Sequence, residues 1–199
     1  MRIGVLALQG AFREHSQVLA SLDADPVPVR RTGDLCRIDG IVIPGGESTT
    51  IRLLMEEYGL TSELRGRIAE GMPVMGTCAG MIVLAYRVNH EPAAGLGALA
   101  IDVRRNAFGR QVDSFEVDLA VPVLGDEPFR AVFIRAPLVE SVEDGVKVLA
   151  RLTDGTVVAV QQGTALGLAF HPELTGDDRF HRYFLSLVGA GEPIASTSG

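Results

Sequence analysis

The sequence predicts an α/β fold, a three-layer α/β/α arrangement with a mainly parallel central sheet and an antiparallel extension in its second half. Two observations support this prediction. In the first part of the chain, short apolar segments alternate with segments of helical periodicity, as in βαβ units. From Gly97 to about Ala169, short strand-like stretches are separated by turns such as Asp154-Gly155, which favour antiparallel hairpins.

Length and composition indicate a soluble protein with one main domain. The 199 residues, 47% apolar and 22% charged, are enough for a substantial core. A formal net charge of −7 without a long basic run makes nucleic acid and anionic membranes poor partners. Two cysteines make no disulfide framework, and no apolar run is long enough to span a bilayer, so we expect a cytoplasmic location.

The individual elements follow from the apolar pattern. Residues 2–8 are a continuous apolar run, as in a buried parallel strand, and helical spacing follows up to Leu22. Further strands are predicted at 26–29, 40–43, before Cys78, 99–103, 115–121, 129–134, 146–152, 156–161 and 166–170. Further helices are predicted at 49–58, 60–70, after Cys78 and at 177–188. We expect one domain over residues 1–190 and a flexible tail over 191–199, which is small and polar.

Residues 76–80, Gly-Thr-Cys-Ala-Gly, lie between a predicted strand and a predicted helix. This is the Gly-x-Cys-x-Gly spacing of a nucleophile elbow, where a bulky flanking side chain would collide with neighbouring backbone. At a helix N-terminus the thiolate of Cys78 is favoured over the thiol. The alternative is a buried structural cysteine, and the elbow alone does not decide between the two.

Residues 44–50, Pro-Gly-Gly-Glu-Ser-Thr-Thr, also follow a predicted strand and open a helix. Backbone N–H groups of this glycine loop could face an anion or oxyanion, or the loop could be a plain turn with a Ser/Thr N-cap. It is not a phosphate-binding P-loop, because no Gly-Lys-[Ser/Thr] follows. Ligands of α/β sheets bind at the carboxyl ends of strands, where this loop and Cys78 are both expected.

His171-Pro172-Glu173 follows the last predicted strand. Proline restricts the preceding residue to extended conformations, so His171 and Glu173 are expected to project to the same side. The carboxylate would then fix the imidazole tautomer and turn the other ring nitrogen towards a nucleophile. A surface turn with an incidental His and Glu is the alternative.

The three remaining histidines are weaker candidates for the base, because they fall on predicted helices or in a polar loop (His15, His181 and His90). Cys78, His171 and Glu173 are therefore predicted to form a catalytic triad. The oxyanion hole would combine the backbone N–H of Ala79 with a second N–H near Gly46.

These motifs resemble those of the class I (triad) glutamine amidotransferases, and more closely the family of glutaminase subunits of pyridoxal 5′-phosphate synthase. The segments that carry the resemblance span nearly the whole chain, at 8–15, 44–50, 76–80, 105–111, 114–116, 133–137 and 171–174. The elbow and the His-Pro-Glu fit many triad glutaminases. Segments 105–111 and 133–137 are much more specific to this family.

The resemblance implies that L-glutamine is hydrolysed to L-glutamate and ammonia through a γ-glutamyl thioester on Cys78, and that the ammonia passes to a synthase subunit for vitamin B6 biosynthesis. It implies substrate contacts from Gly46, Glu47, Ser48, Arg105, Ile134 and Arg135. From spacing alone, the two arginines would be solvated charges at strand ends. It also implies that Gln9, Arg13, Glu14 and His15 belong to the surface that meets the synthase subunit and completes the oxyanion hole. By periodicity alone, His15 would be an ordinary helix residue.

If the chain is an amidotransferase, the chemistry that consumes ammonia is expected on another chain, because the triad domain uses almost all 199 residues. The resemblance implies that this partner is the synthase subunit. By the resemblance, the coenzyme is the product of the complex, so no cofactor is expected. No metal site is expected either, because no other carboxylate–histidine cluster is evident in the sequence. Two alternatives stay open: a glutaminase for another acceptor, such as imidazole glycerol phosphate synthase, and a thiol-sensing or regulatory subunit.

Overall fold

A computed structural model describes residues 1–105 and 114–190. The strands are β1 (Arg2–Leu6), β2 (Asp25–Val29), β3 (Gly40–Ile43), β4 (Val74–Thr77), β5 (Ala85–Val88), β6 (Glu91–Pro92), β7 (Leu99–Arg104), β8 (Ser114–Leu119), β9 (Phe129–Ile134), β10 (Leu138–Val142), β11 (Lys147–Arg151), β12 (Val157–Gln162) and β13 (Ala165–Leu168). The helices are α1 (Phe12–Ser21), α2 (Ser48–Glu57), α3 (Leu60–Ala69), α4 (Ala79–Leu84) and α5 (Arg179–Ala190). Short 3₁₀ turns lie at Thr32–Leu35, Pro122–Leu124 and Pro172–Leu174.

The central sheet has a parallel half and a largely antiparallel half. Strands β2, β1, β3, β4 and β13 lie side by side in that order and are all parallel. Beyond β13 the sheet continues through β12, β10 and β7 with antiparallel pairing, and β5 then pairs parallel with β7. The predicted parallel sheet with an antiparallel extension is confirmed.

Three aspects of the strand prediction need correction. Strand β13, predicted as part of the strand-rich second half, is the fifth strand of the parallel core. Strands β8 and β9 pair with each other in a separate two-stranded sheet. Strands β5, β6 and β10 were not predicted at all. The first two are short, and β10 is interrupted by an irregularity between Val139 and Ser141 that breaks the alternation of its side chains.

Element ends differ from the predictions by a few residues. Strand β1 stops at Leu6, and α5 begins at Arg179 instead of residue 177, because Asp177 accepts hydrogen bonds from the Arg179 backbone and side chain. The predicted tail at 191–199 and most of the family-specific segment at 105–111 lie outside the described residues. Within the described ranges, none of the helices has the length and apolarity needed to cross a membrane.

The helices form two groups. Helices α1 and α5 meet through the buried side chains of His15 and His181, whereas α2 contacts α3 and α4. Helix α5 packs its inner face over β3, so that a Cβ added at Gly40 would lie 2.9 Å from Val188. The sheet is thereby covered by helices, and its strand ends carry the loops described next.

Candidate active site

Cys78 occupies a strained turn between β4 and α4. Its φ of 49° and ψ of −107° lie in a region that residues with a side chain seldom adopt, and its side chain is buried. Such a strained strand-to-helix turn is the geometry of a nucleophile elbow, in which the reactive side chain is held at the top of the sheet.

The two glycines that flank Cys78 are required by close contacts of the backbone. A Cβ at Gly80 would lie 1.9 Å from the carbonyl oxygen of Ile43, and one at Gly76 would lie 2.6 Å from the carbonyl oxygen of Gly80. Real Cβ atoms do not approach so closely. The collision expected from the spacing is therefore present at both positions.

The topology brings His171 to Cys78. Strand β13 pairs with β4, with Leu168 opposite Thr77, and the Cys78 N–H donates to the Leu168 carbonyl at 2.7 Å. The chain beyond β13 is then fixed by the His171 N–H, which donates to Val132 of β9 at 2.9 Å. The last core strand thus places the His-Pro-Glu segment beside the elbow.

His171 and Glu173 form the predicted pair. The distance between His171 Nδ1 and Glu173 Oε1 is 2.7 Å, and the Glu173 side chain is fully buried. Burial disfavours the charged imidazole, but hydrogen bonds with Cys78 and Glu173 outweigh it and raise the pKa of His171 to about 10. Burial also opposes the charged form of Glu173, yet His15 and His171 hold the pKa of that carboxyl below its usual value. The charged form of His171 is therefore favoured.

The glycine loop lies against the imidazole. A Cβ at Gly45 would be 2.4 Å from Cε1 of His171, so only glycine fits there. The Gly45 N–H donates to the hydroxyl of Thr77 at 3.1 Å, and the Gly45 carbonyl accepts from Ala11 at 3.1 Å. The loop is thus tied to both the nucleophile strand and the start of α1.

An open cavity of about 350 Å³ lies over Cys78. It is lined by Gln9, Gly46, Glu47, Ser48, Cys78, Ala79, Ile82, Arg105, Ile134, Arg135 and His171. All six residues predicted to contact glutamine are among them, and so are both residues of the predicted oxyanion hole. Ile82 was not predicted, because an apolar residue on a short helix carries no chemical signal in the sequence.

The positions of the expected oxyanion donors are compatible with that role. Ala79 is the first residue of α4, where N–H groups have no partner within the helix. Gly46 is exposed, lines the cavity and lies against the Gln9 side chain. A Cβ added at Gly46 would be 2.3 Å from the side-chain oxygen of Gln9. Ser48 is buried and begins α2.

Glu47 has a structural role that the sequence did not suggest. Its carboxylate caps α2 by accepting from the N–H groups of Thr49 at 3.0 Å and Thr50 at 2.8 Å, and these bonds lower the pKa of Glu47 to about 2. Arg105 donates to the same carboxylate at 3.1 Å and to the Thr49 hydroxyl at 3.2 Å. The Arg105 guanidinium at the cavity wall therefore already faces a carboxylate of the protein.

Ile134 and Arg135 close the cavity from the β9 side. The Cys78 thiol lies 3.7 Å from the Ile134 carbonyl, to which it donates. Arg135 follows with a φ of 43° and an exposed side chain. Arg135 thus lines the cavity, and no ion pair of its guanidinium is found within residues 1–105 and 114–190. A guanidinium at the wall of a cavity is suited to binding a carboxylate.

The residues expected at a partner surface divide into two groups. Gln9, between β1 and α1, accepts from the Glu47 N–H at 2.7 Å and lines the cavity. Arg13 is exposed and Glu14 is half-buried on the outer side of α1.

His15 is different, because its side chain is 0% exposed. It lies on the inner face of α1, with its ring atoms 2.9 Å from His181 and 3.1 Å from the Thr77 hydroxyl. The expectation that His15 forms part of the surface is therefore wrong. Sequence spacing could not reveal this contact, because His15 and His181 come from opposite ends of the chain.

A further histidine cluster also corrects the sequence analysis. His90 Nδ1 lies 2.8 Å from Asp102, and its Nε2 lies 3.3 Å from Glu140. These residues, on β7, β10 and the β5–β6 turn, have donor atoms close enough together to be considered for a metal ion. The imidazole thus hydrogen-bonds to Asp102 through Nδ1 and approaches Glu140 through Nε2, so contacts within the protein account for the arrangement.

A family model described as the SNO glutamine amidotransferase family matches residues 5–189. Curated relatives are similar over nearly their whole length. A pyridoxal 5′-phosphate synthase subunit PdxT from Carboxydothermus hydrogenoformans is 55% identical over 191 residues, which is 96% of this chain and 100% of that protein. The PdxT subunit from Mycobacterium avium is 58% identical over 192 residues, 94% of this chain and 96% of that one.

Solved structures agree with this likeness. A crystal structure of a glutamine amidotransferase superimposes with a TM-score of 0.89 at 51% identity, covering 94% of this chain and 98% of that one. The structure of PurLQS from Thermotoga maritima has a TM-score of 0.72 at 20% identity, covering 96% of this chain and 99% of that one. The second similarity concerns the fold alone.

Proposed function

The chain belongs to the SNO glutamine amidotransferase family, and we propose on this basis that Cys78, His171 and Glu173 carry out its glutamine hydrolysis. The chain is the glutaminase subunit of a pyridoxal 5′-phosphate synthase. The single observation that best supports the residue assignment is the strained Cys78 elbow beside the His171–Glu173 pair, at the floor of one cavity.

In the first half-reaction, the Cys78 sulfur attacks the side-chain amide carbon of L-glutamine. The carbonyl π electrons move to the oxygen and give a tetrahedral oxyanion. As the C–N bond breaks, the His171 imidazolium gives its proton to the leaving nitrogen, and ammonia and a γ-glutamyl thioester result. The raised pKa of His171 keeps this proton available at neutral pH.

In the second half-reaction, neutral His171 takes a proton from water while the water oxygen attacks the thioester. The C–S bond breaks, L-glutamate leaves and Cys78 returns as a thiolate beside the imidazolium. Glu173 holds the imidazole by its Nδ1–H throughout, which keeps Nε2 directed at the reacting atoms.

Substrate binding uses the remaining walls of the cavity. We assign the oxyanion hole to the N–H groups of Ala79 and Gly46. Arg135 binds the α-carboxylate of glutamine, because it lines the cavity and has no carboxylate partner within the part of the chain that the structure describes, whereas the Arg105 guanidinium is already paired with Glu47. Ser48 and the Ile134 backbone complete the substrate contacts.

We also propose the finer points of assembly and location. The chain acts in a hetero-oligomer with the synthase subunit, which takes up the ammonia, and Gln9, Arg13 and Glu14 contribute to the contact. A cytoplasmic location suits a nucleophilic thiol, which a reducing environment keeps free.

The test is ammonia release from L-glutamine by the purified chain, with and without the synthase subunit. We expect hydrolysis with the synthase subunit and a loss of at least about a thousandfold in Cys78→Ala, because no other group forms the thioester. Cys36→Ala is the matched control, since Cys36 is exposed and outside the cavity. It should keep full activity.

The outcomes separate the alternatives. Activity that depends on Cys78 but does not respond to the synthase subunit would keep the triad and remove the proposed coupling. An unaffected Cys78→Ala variant would refute the triad. No hydrolysis under either condition would favour the regulatory alternative.

A further inference from the structure

A buried pair of histidines lies directly behind the catalytic carboxylate. His15 of α1 and His181 of α5 are both 0% exposed, and their rings are 2.9 Å apart between Nδ1 of His15 and Nε2 of His181. The other ring nitrogen of His15, Nε2, lies 3.3 Å from Oε2 of Glu173. The Glu173 carboxylate therefore has His171 on one oxygen and His15 next to the other.

The positions of the protons on this pair follow from its surroundings. Among the described residues, His181 Nδ1 and Glu173 Oε2 are the buried side-chain atoms that make no hydrogen bond. In a buried site, an acceptor nitrogen without a partner costs less free energy than an N–H without a partner, because the buried donor loses a full hydrogen bond. His181 is therefore protonated on Nε2, from which it donates to His15 Nδ1.

This assignment fixes His15 as well. With Nδ1 accepting from His181, the proton of neutral His15 must be on Nε2, facing the Thr77 hydroxyl at 3.1 Å and Glu173 Oε2 at 3.3 Å. The opposite tautomer would direct a lone pair at the carboxylate and leave a buried N–H on His181. The first arrangement avoids both of these costs.

Both rings are neutral in this arrangement. Burial lowers the pKa of His15 and outweighs the attraction of Glu173 and Glu14, while His171 adds repulsion. Burial and His15 lower the pKa of His181 to about 3, against the opposing effects of Glu173 and Asp178. These are the charged groups that face the pair from α1, from α5 and from the segment after β13.

The same His15 nitrogen also reaches the nucleophile strand. The Thr77 hydroxyl oxygen, next to Cys78 in sequence, accepts from the Gly45 N–H at 3.1 Å while it contacts His15. His15 therefore contacts both the carboxylate that orients the base and the residue that joins the elbow to the glycine loop.

We propose that His15, held in one tautomer by His181, is a positioning residue: its Nε2–H donates to the Thr77 hydroxyl and lies 3.3 Å from Glu173 Oε2, so that its positive end helps to fix the carboxylate that orients His171. The inference rests on the proposed triad. His15 touches no reacting atom. It acts by keeping the buried Glu173 ionised and in place.

The first test is a direct measurement of the tautomers. Long-range ¹H–¹⁵N spectra of the complex with the synthase subunit, labelled at histidine, should give neutral Nε2–H forms for His15 and His181, unchanged between about pH 6 and pH 8. An Nδ1–H tautomer or an imidazolium at His15 would overturn the proposal. This measurement does not depend on activity, so it decides the assignment even if the proposed function fails.

The second test uses paired substitutions in the same complex. His15→Leu removes the N–H donor, so the pKa of Glu173 should rise. We expect the acid limb of the pH profile of kcat/KM to move up by about one pH unit. The kcat should fall about tenfold, and the KM for glutamine should stay unchanged. His15→Gln has an amide N–H near the position of Nε2 and should restore most of kcat and the original acid limb.

Leu19→Ala is the control for general damage to α1, because Leu19 is also fully buried on the inner face of that helix. It should lower the Tm without moving the acid limb. If His15→Leu leaves the acid limb unmoved, or if His15→Gln is no better than His15→Leu, the proposal is refuted.

Discussion

At the scale of single residues, the pKa of His171 is set by opposing electrostatic effects. Burial disfavours its charged form, whereas hydrogen bonds with Cys78 and Glu173 favour it more strongly, so its pKa rises to about 10. The pKa of His171 is higher in the folded protein than the value of about 6.5 in an unfolded chain. The charged imidazole therefore contributes its full stabilisation of the folded state below about pH 6.5, and this contribution is lost as the pH rises towards 10.

This balance predicts the behaviour of a variant that lacks the thiol. In Cys78→Ala, the larger of the two favourable interactions is absent while burial is unchanged, so the pKa of His171 should fall by at least about one unit. Titration of the His171 ring by NMR in wild type and in the variant measures the change. An unchanged midpoint would mean that Cys78 does not share a proton with His171.

At the scale of elements, the elbow depends on how closely α4 approaches β3. Gly80, the second residue of α4, leaves only enough space for a hydrogen next to the Ile43 carbonyl. We predict that Gly80→Ala destabilises the fold by at least about 2 kcal/mol and lowers glutaminase activity in the complex more than tenfold, because α4 must move and Cys78 moves with it. Thermal unfolding and the ammonia assay measure the two effects.

Gly66→Ala provides the matched control. Gly66 is also in a helix, α3, but an added Cβ would meet nothing within 4 Å. The same methyl group should there raise stability by up to about 1 kcal/mol, since alanine favours a helix more than glycine does. Equal effects at the two positions would contradict the steric explanation.

At the scale of the whole molecule, α1 connects the surface to the site. Its outer face carries the exposed Arg13, while its inner face carries the buried His15 next to Glu173. If this outer face meets the synthase subunit, Arg13→Glu should weaken the complex about tenfold in Kd, because a charge is reversed at the contact. Calorimetric titration with the synthase subunit measures it.

The control for this charge reversal is Arg87→Glu. Arg87 is an exposed arginine on β5, near the other edge of the central sheet, so the change in net charge is identical. Its effect on Kd should be small. If both variants weaken the complex equally, the effect comes from net charge and the proposed contact through α1 is wrong.

The sequence was sufficient to predict the parts of the site that depend on residues close to one another in the chain. The Cys78 elbow and the His171–Glu173 pair were predictable because each is set by residues within a few positions of one another. The buried position of His15 was not, since it depends on α1 and α5 crossing behind the sheet. Alternation likewise identifies strands such as β8 and β9 without telling which sheet they join.

The place of β13 in the sheet has a consequence for biosynthesis. This strand, near the end of the chain, fits between β4 and β12 and brings His171 to Cys78. While the chain is still emerging from the ribosome, β4 is complete before His171 and Glu173 have been made. Pairings between distant segments form slowly. In the nascent protein, Cys78 therefore lacks the neighbouring imidazole, and the two side chains meet only after synthesis has passed the last core strand.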